Sequence, residues 1–167
     1  GVEMKTNAPV DSIESLFDQG YKAVFLGTGA WTSLKLEIPD EDAKGIIHAL
    51  DFLKQANTGE TVALGDKVAV IGGGSVAIDS ARLALRLGAG QVNLICLEST
   101  DLTCADRMPA QDMEIGQAEE EGVIVHPNLG VAKILTDNGK VSALETSSCV
   151  SVLDEETLLI TVHSQRE

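Results

Sequence analysis

Residues 67–79, Lys67-Val68-Ala69-Val70-Ile71-Gly72-Gly73-Gly74-Ser75-Val76-Ala77-Ile78-Asp79, decide the fold. A short β-branched run ends on three glycines and passes straight into a segment of small, helix-compatible residues. Gly72, Gly74 and Ala77 stand in the spacing G-x-G-x-x-A, the alanine variant of the dinucleotide-binding fingerprint. Each position has its own mechanical task. Gly72 permits the tight turn from strand to helix, Gly74 has no Cβ to obstruct a pyrophosphate, and Ala77 lets the helix lie close on the sheet. The free N–H groups at the helix start, with the positive end of the helix dipole, face the phosphates.

Glycine triplets also occur in ordinary turns, including those of other βαβ units, so the flanks carry the argument. Val68 to Ile71 is apolar throughout, as a buried parallel strand requires. In the segment Ser75 to Leu87, Ala77, Ala81, Ala84, Leu85 and Gly88 fall on one helical face and Arg82 and Arg86 on the other, with Gly88 as the stop. A second apolar strand, Val92 to Leu97, follows and ends on Glu98. That acid lies about twenty residues beyond the fingerprint, where a carboxylate accepts hydrogen bonds from the ribose hydroxyls of NAD.

Working outward, Val2 to Thr6 alternates like a strand. Asp11 and Glu14 suggest a capping box for a helix carrying Ile13, Leu16 and Phe17, which Gly20 ends. Lys22 to Gly27 reads as another buried strand, closing on Thr28-Gly29-Ala30. Residues 31–44, with Pro39 and the acidic run Asp40-Glu41-Asp42, read as a connection between domains. Ile46 to Ala56 is amphipathic and Gly59 follows it. A loop from Glu98 to Pro109 precedes a helix from Ala110 to Glu121, with Pro109 near its first turn and Glu119-Glu120-Glu121 as a solvated end. Val123 to Val125 reads as a third parallel strand. After Pro127, Val131 to Leu135 and Lys140 to Glu145 flank Asp137-Asn138-Gly139, the signature of a hairpin with a primed turn. Residues 149–153 and 158–162 suggest a further antiparallel pair. The expected architecture is α/β: a Rossmann-like parallel sheet with helices on both faces and an antiparallel β-meander. The sheet looks unfinished at residue 167, and the chain, which begins on glycine, is expected to be a fragment.

Bulk properties narrow the function classes. The chain has 167 residues, 44% of them hydrophobic, and a net charge of −14, which disfavours nucleic acid or an anionic membrane surface as a partner. No apolar run reaches the length of a membrane span. Cys96, Cys104 and Cys149 are widely spaced without a C-x-x-C, and His48, His126 and His163 lie in separate elements. Metal ligation is therefore not expected, and a reducing cytoplasm is the natural compartment. Cys96, inside an apolar strand, reads as core.

Taken together, Tyr21 to Ala30, Val70 to Arg82, Met108-Pro109-Ala110 and Glu119 to Val123 resemble the glutamate synthase small-subunit family of FAD-dependent NAD(P)H oxidoreductases. A related flavin module occurs in dihydropyrimidine dehydrogenase. The resemblance runs over nearly the whole chain. It implies nested Rossmann-like domains, with residues 1–40 the tail of an FAD-binding segment and residues 45–167 an incomplete NAD(P)H-binding domain. Thr28, Gly29 and Ala30 would approach the flavin nucleotide. Gly72, Gly73, Gly74, Ser75 and Val76 would hold the dinucleotide phosphates, and Glu98 the adenosine ribose. The implied reaction is hydride transfer from the nicotinamide to FAD, in which the cofactors perform the chemistry and no residue of this chain acts as catalytic acid or base.

Two departures matter. The FAD fingerprint expected upstream is absent, so the chain alone should bind FAD weakly or not at all, and FAD belongs to the full-length protein. The paired arginines that NADPH users carry after the second strand are replaced by Leu97 and Glu98, which favours NAD over NADP, with Arg107 the residue that would rescue NADP. Expected partners are a nicotinamide dinucleotide and a larger redox subunit or the missing FAD domain. Alternative readings are a nucleotide-sensing regulatory module without turnover, or a fingerprint that holds the ADP part of FAD.

Overall fold

The computed structural model describes residues 1–149. The chain divides into two compact units, Gly1–Trp31 and Thr32–Glu167. In the first, the one regular element is a single short helix, α1 (Glu14–Asp18). Its start is held by Ser12, not Asp11: the Ser12 Oγ accepts the Ser15 N–H at 3.2 Å, and the Ser15 hydroxyl donates to the Ser12 carbonyl at 2.7 Å. Gly20, at φ 94°, ends the helix, and the Tyr21 N–H donates back to the Leu16 carbonyl at 3.3 Å. The strands expected at 2–6 and 22–27 are not formed. Both stretches lack ladder partners, and Phe25 is 95% exposed. A strand's backbone groups need a neighbouring strand, and the first unit contains none.

The second unit is built around the decisive segment. Its regular elements begin with α2 (Ala49–Asn57), β1 (Lys67–Ile71), α3 (Ser75–Arg86) and β2 (Gln91–Ile95). They continue with α4 (Asp112–Glu120), β3 (Ile124–His126), β4 (Leu129–Asp137) and β5 (Lys140–Ser148). Strands β1, β2 and β3 form a parallel sheet in that order, with Val70 opposite Leu94 and Leu94 opposite Val125. The two successive crossovers move in one direction along the sheet, and α3 packs against β1, β2, α2 and α4.

The core lies in this one helix–sheet layer. Ile78, Ala81, Val92, Leu94 and Ala118 are fully buried, joined by Phe52, Ala77, Ala84, Cys96, Ile115 and Val123. Burying each of the larger side chains, Ile78, Val92, Leu94, Phe52, Ile115 and Val123, contributes about 1.5–3 kcal/mol of transfer free energy. The buried stripe of α3 includes Ile78 and leaves out Gly88, which is exposed but at φ 99° supplies the expected stop. Lys67, Ala69 and Ile71 of β1 are exposed while Val68 and Val70 pack inward, so the strand is covered on one face and not on both as its composition suggests. Among the described residues β1 pairs with β2 alone and is an edge strand of the sheet.

Helix α4 starts later than expected. Pro109 precedes it by several residues, and the first turn is fixed when the Gln111 N–H donates to the Glu114 Oε2 at 3.1 Å. Hairpin β4–β5 turns through Asn138 and Gly139, both at positive φ (50° and 75°), with Asp137 opposite Lys140: the primed turn read from D-N-G. The segment before α2 is clasped to this tip. Lys44 donates its N–H to the Gly139 carbonyl at 3.1 Å and accepts the Val141 N–H at 2.9 Å. Most of the proposed pair at 149–153 and 158–162, and His163, lies outside the described residues. No helix among the described residues is long and apolar enough to cross a membrane.

Candidate nucleotide-binding site

The glycine loop bridges the C-terminal end of β1 and the first turn of α3. Gly72 has φ 126°, a region that side-chain-bearing residues rarely adopt, and its N–H donates to the Ile95 carbonyl at 2.9 Å. That hydrogen bond extends the β1–β2 ladder by one residue and occupies the Gly72 donor. Gly74 is the N-cap of α3 and accepts the Ala77 and Ile78 N–H groups on its carbonyl. The N–H groups of Gly73, Gly74, Ser75 and Val76 have no acceptor among the described residues. This is the usual state of a helix start, where the first N–H groups lack intrahelical partners and the dipole is positive. A Cβ at Gly74 would meet nothing nearer than Pro109 Cγ at 4.0 Å, so the approach to these donors is open.

Glu98 is brought to the same loop. It stands beyond β2, its carbonyl accepts the Asn128 N–H at 3.0 Å, and its side chain lies over Gly73. A Cβ added at Gly73 would fall 2.6 Å from Glu98 Oε2 and 3.3 Å from Cys96 Cβ. The middle glycine, to which the fingerprint assigns no task, therefore makes room for the acid. Beneath it, the Cys96 thiol is pushed up to about 11 by burial and by the Glu98 charge, which makes it an inert core group.

Two further segments reach the loop that spacing did not point to. The loop after Glu98 folds back through a parallel bridge between Ser99 and Arg107, with the Met108 N–H donating to the Ser99 carbonyl at 2.9 Å. Ala110 then donates its N–H to the Gly73 carbonyl at 3.1 Å, so Met108-Pro109-Ala110 forms one wall of the loop instead of a helix start. From α4, Glu114 accepts the Ser75 hydroxyl on Oε2 at 2.7 Å. The Ser75 hydroxyl and the Gln111 N–H hold this carboxyl below its ordinary range.

The arginines of α3 are engaged elsewhere. Arg82 and Arg86 both donate through Nη2 to Glu121 Oε1, at 2.6 and 2.7 Å, tying α3 to the end of α4. These hydrogen bonds, Arg82's first, pull the Glu121 carboxyl down to about 2. The last of the three glutamates is therefore a clamp and not a solvated helix end. Arg107 lies 3.6 Å from Asp112 and is exposed. His126 shares a 3.0 Å hydrogen bond with Asn93, and no group of metal-ligating side chains occurs among the described residues.

Thr28, Gly29 and Ala30 form an exposed turn in the first unit. Gly29 is at φ 72°, and the Trp31 indole N–H donates to the Thr28 carbonyl. Of the expected contact residues, Gly72 to Val76 and Glu98 converge on one loop of the second unit.

The sequence pattern of the family described as pyridine nucleotide-disulphide oxidoreductase matches residues 2–162. The chain is 35% identical over 147 residues to the NADP(+)-dependent formate dehydrogenase subunit beta of Moorella thermoacetica, a match covering 86% of this chain and 20% of that protein. It is also 35% identical over 160 residues to the glutamate synthase (NADPH) small chain of Escherichia coli (strain K12), covering 87% of this chain and 33% of that one. The chain thus spans between a fifth and a third of these relatives' length. Among solved structures, Lactococcus lactis thioredoxin reductase shares the fold, with a TM-score of 0.54 and 20% identity over 79% of this chain and 38% of that one. With the glycine loop, the parallel βαβ core and a family match running through both units, the chain belongs to the pyridine nucleotide-disulphide oxidoreductase family.

Proposed function

We propose that the chain is the NAD(H)-binding module of a flavin-dependent oxidoreductase that passes hydride from the nicotinamide to FAD, as in proteins like the glutamate synthase small subunit. The observation that carries this reading is the placement of the Glu98 carboxylate over Gly73, beside a helix start whose N–H groups are free. In this reading the N–H groups of Gly73, Gly74, Ser75 and Val76 bind the pyrophosphate, and Gly72 contributes the turn rather than a donor. Glu98 accepts the adenosine ribose hydroxyls and repels a 2′-phosphate. When bound, the nicotinamide supplies a hydride for which the flavin N5 is the acceptor. The chain's residues bind and orient; no proton transfer by a side chain is required.

Residues 1–40 belong, in this proposal, to an FAD-binding segment that Thr28-Gly29-Ala30 serves, and residues 45–167 to the nicotinamide domain. The FAD and the electron acceptor come from the rest of a longer protein or from a larger redox subunit, in the cytoplasm. A second reading, NADP(H), is favoured by Arg107, which the Ser99 bridge holds beside the residue after Glu98, and both relatives named above carry NADP(H) in their names. Calorimetry of the chain with NADH and NADPH decides between them. NADH should bind about tenfold more tightly, a difference of about 1.4 kcal/mol. Tighter NADPH binding would remove Glu98 from the ribose and install Arg107 as the phosphate ligand.

A further inference from the structure

The Ser75 hydroxyl has one proton to donate, and it goes to a carboxylate. Glu114 Oε2 takes it at 2.7 Å while also accepting the Gln111 N–H at 3.1 Å. The second bond belongs to the first turn of α4, so the carboxylate is anchored from its own helix and reaches across to the first residue of α3. That first residue is where the free N–H groups open toward the proposed phosphate position. A fixed negative charge thus already stands at the positive end of the α3 dipole, and a pyrophosphate placed there feels it. Glu98 adds a second carboxylate at the loop, and the arginines of α3 are bound to Glu121, which leaves neither to offset the first two.

We propose that Glu114 limits the affinity of the glycine loop for dinucleotide phosphates, by holding the Ser75 hydroxyl and fixing a negative charge at the start of α3. The inference rests on the nucleotide-binding reading of the loop. It gives Ser75 a divided role: its backbone N–H faces the phosphates, and its hydroxyl serves α4. Glu114 is a positioning residue that sets the strength of binding without touching the ligand.

The test is calorimetry of the full 167-residue chain and its Glu114→Gln variant with NADH, ADP and adenosine, each at low and high salt. The glutamine amide oxygen accepts the same two donors that Oε2 accepts, so the contact survives while the charge is lost. Glu114→Gln should bind NADH and ADP about threefold to tenfold more tightly at low salt, with the gain shrinking as salt screens the charge. Adenosine, which carries no phosphate, should bind both proteins equally. Unchanged or weaker NADH binding by the variant overturns the proposal, as does an equal gain for adenosine, which would mark a packing effect. Failure of both proteins to bind NADH and ADP overturns the nucleotide reading of the loop itself. Should Glu114→Gln not fold, Glu114→Ala removes the same charge: its NADH and ADP affinities should rise at low salt with the gain shrinking at high salt, and unchanged or weaker binding again overturns the proposal.

Discussion

Two stretches of this chain share one grammar and differ in outcome. Lys22-Ala23-Val24-Phe25-Leu26-Gly27-Thr28-Gly29-Ala30 and Lys67-Val68-Ala69-Val70-Ile71-Gly72-Gly73-Gly74-Ser75 each run from a lysine through four apolar residues into a glycine turn. The second is strand β1, laddered against β2 from Lys67 opposite Gln91 to Ile71 opposite Ile95. The first forms no strand, and Phe25 and Leu26 are exposed. The difference lies in the company each keeps. β1 has a helix to cover Val68 and Val70 and a strand to take its N–H and C=O groups, whereas the first unit has no strand and its one helix, α1, buries no residue. An apolar run announces the capacity to be a strand; the partner confers the state.

The sharpest way to break this comparison is to truncate one apolar residue on each side of it. Leu94→Ala, at a fully buried position on the strand beside β1, should cost about 2–5 kcal/mol in urea unfolding. Phe25→Ala should stay within about 0.5 kcal/mol, as exposed positions do. A large loss at Phe25 in this chain would mean that the first stretch has a partner after all. A smaller effect is expected at the turns. Gly72→Ala forces a Cβ into φ 126°, which should cost about 1–3 kcal/mol in the same measurement.

The smallest effect probes what fastens α4 onto the βαβ unit. The carboxyl of Glu121 is pulled to about 2, from 4.5, by Arg82 and Arg86. A depressed carboxyl stabilises above its unfolded value, and that stabilisation fades as pH falls from about 4.5 toward about 2. Glu121→Gln should therefore lower the thermal midpoint at neutral pH by less than Leu94→Ala does, and the difference should vanish toward pH 2. A gap that persists in acid would show that packing, not charge, is what the variant lost.

What could be read from the sequence was what is local. β1, the glycine loop, α3 and β2 follow one another without interruption, and each announces itself by period, glycine stop or small-residue spacing. The same holds for the D-N-G turn of β4–β5. Glu98 was legible because a fixed βαβ geometry carries the residue after β2 back to the loop. Contacts between distant segments were not legible. Ser75 and Glu114, like Arg82 and Glu121, meet only once α4 is docked on α3, and no periodicity encodes that docking. Pro109 misled for a related reason. A proline beside a helix suggests its first turn, but here tertiary packing against the glycine loop claims it, and Glu114 supplies the start signal instead.

The space that Gly73 leaves empty is the space that Glu98 fills. The two positions, far apart in the chain, therefore behave as one locus. Exchanging residue 98 alone for something branched or bulky pushes against the loop, and widening residue 73 alone evicts the acid. The costs of changing both are not the sum of changing each, as expected for residues that share a volume. A library that varies residue 98 on a fixed Gly73 samples half of that locus; one that varies the two together reaches the rest.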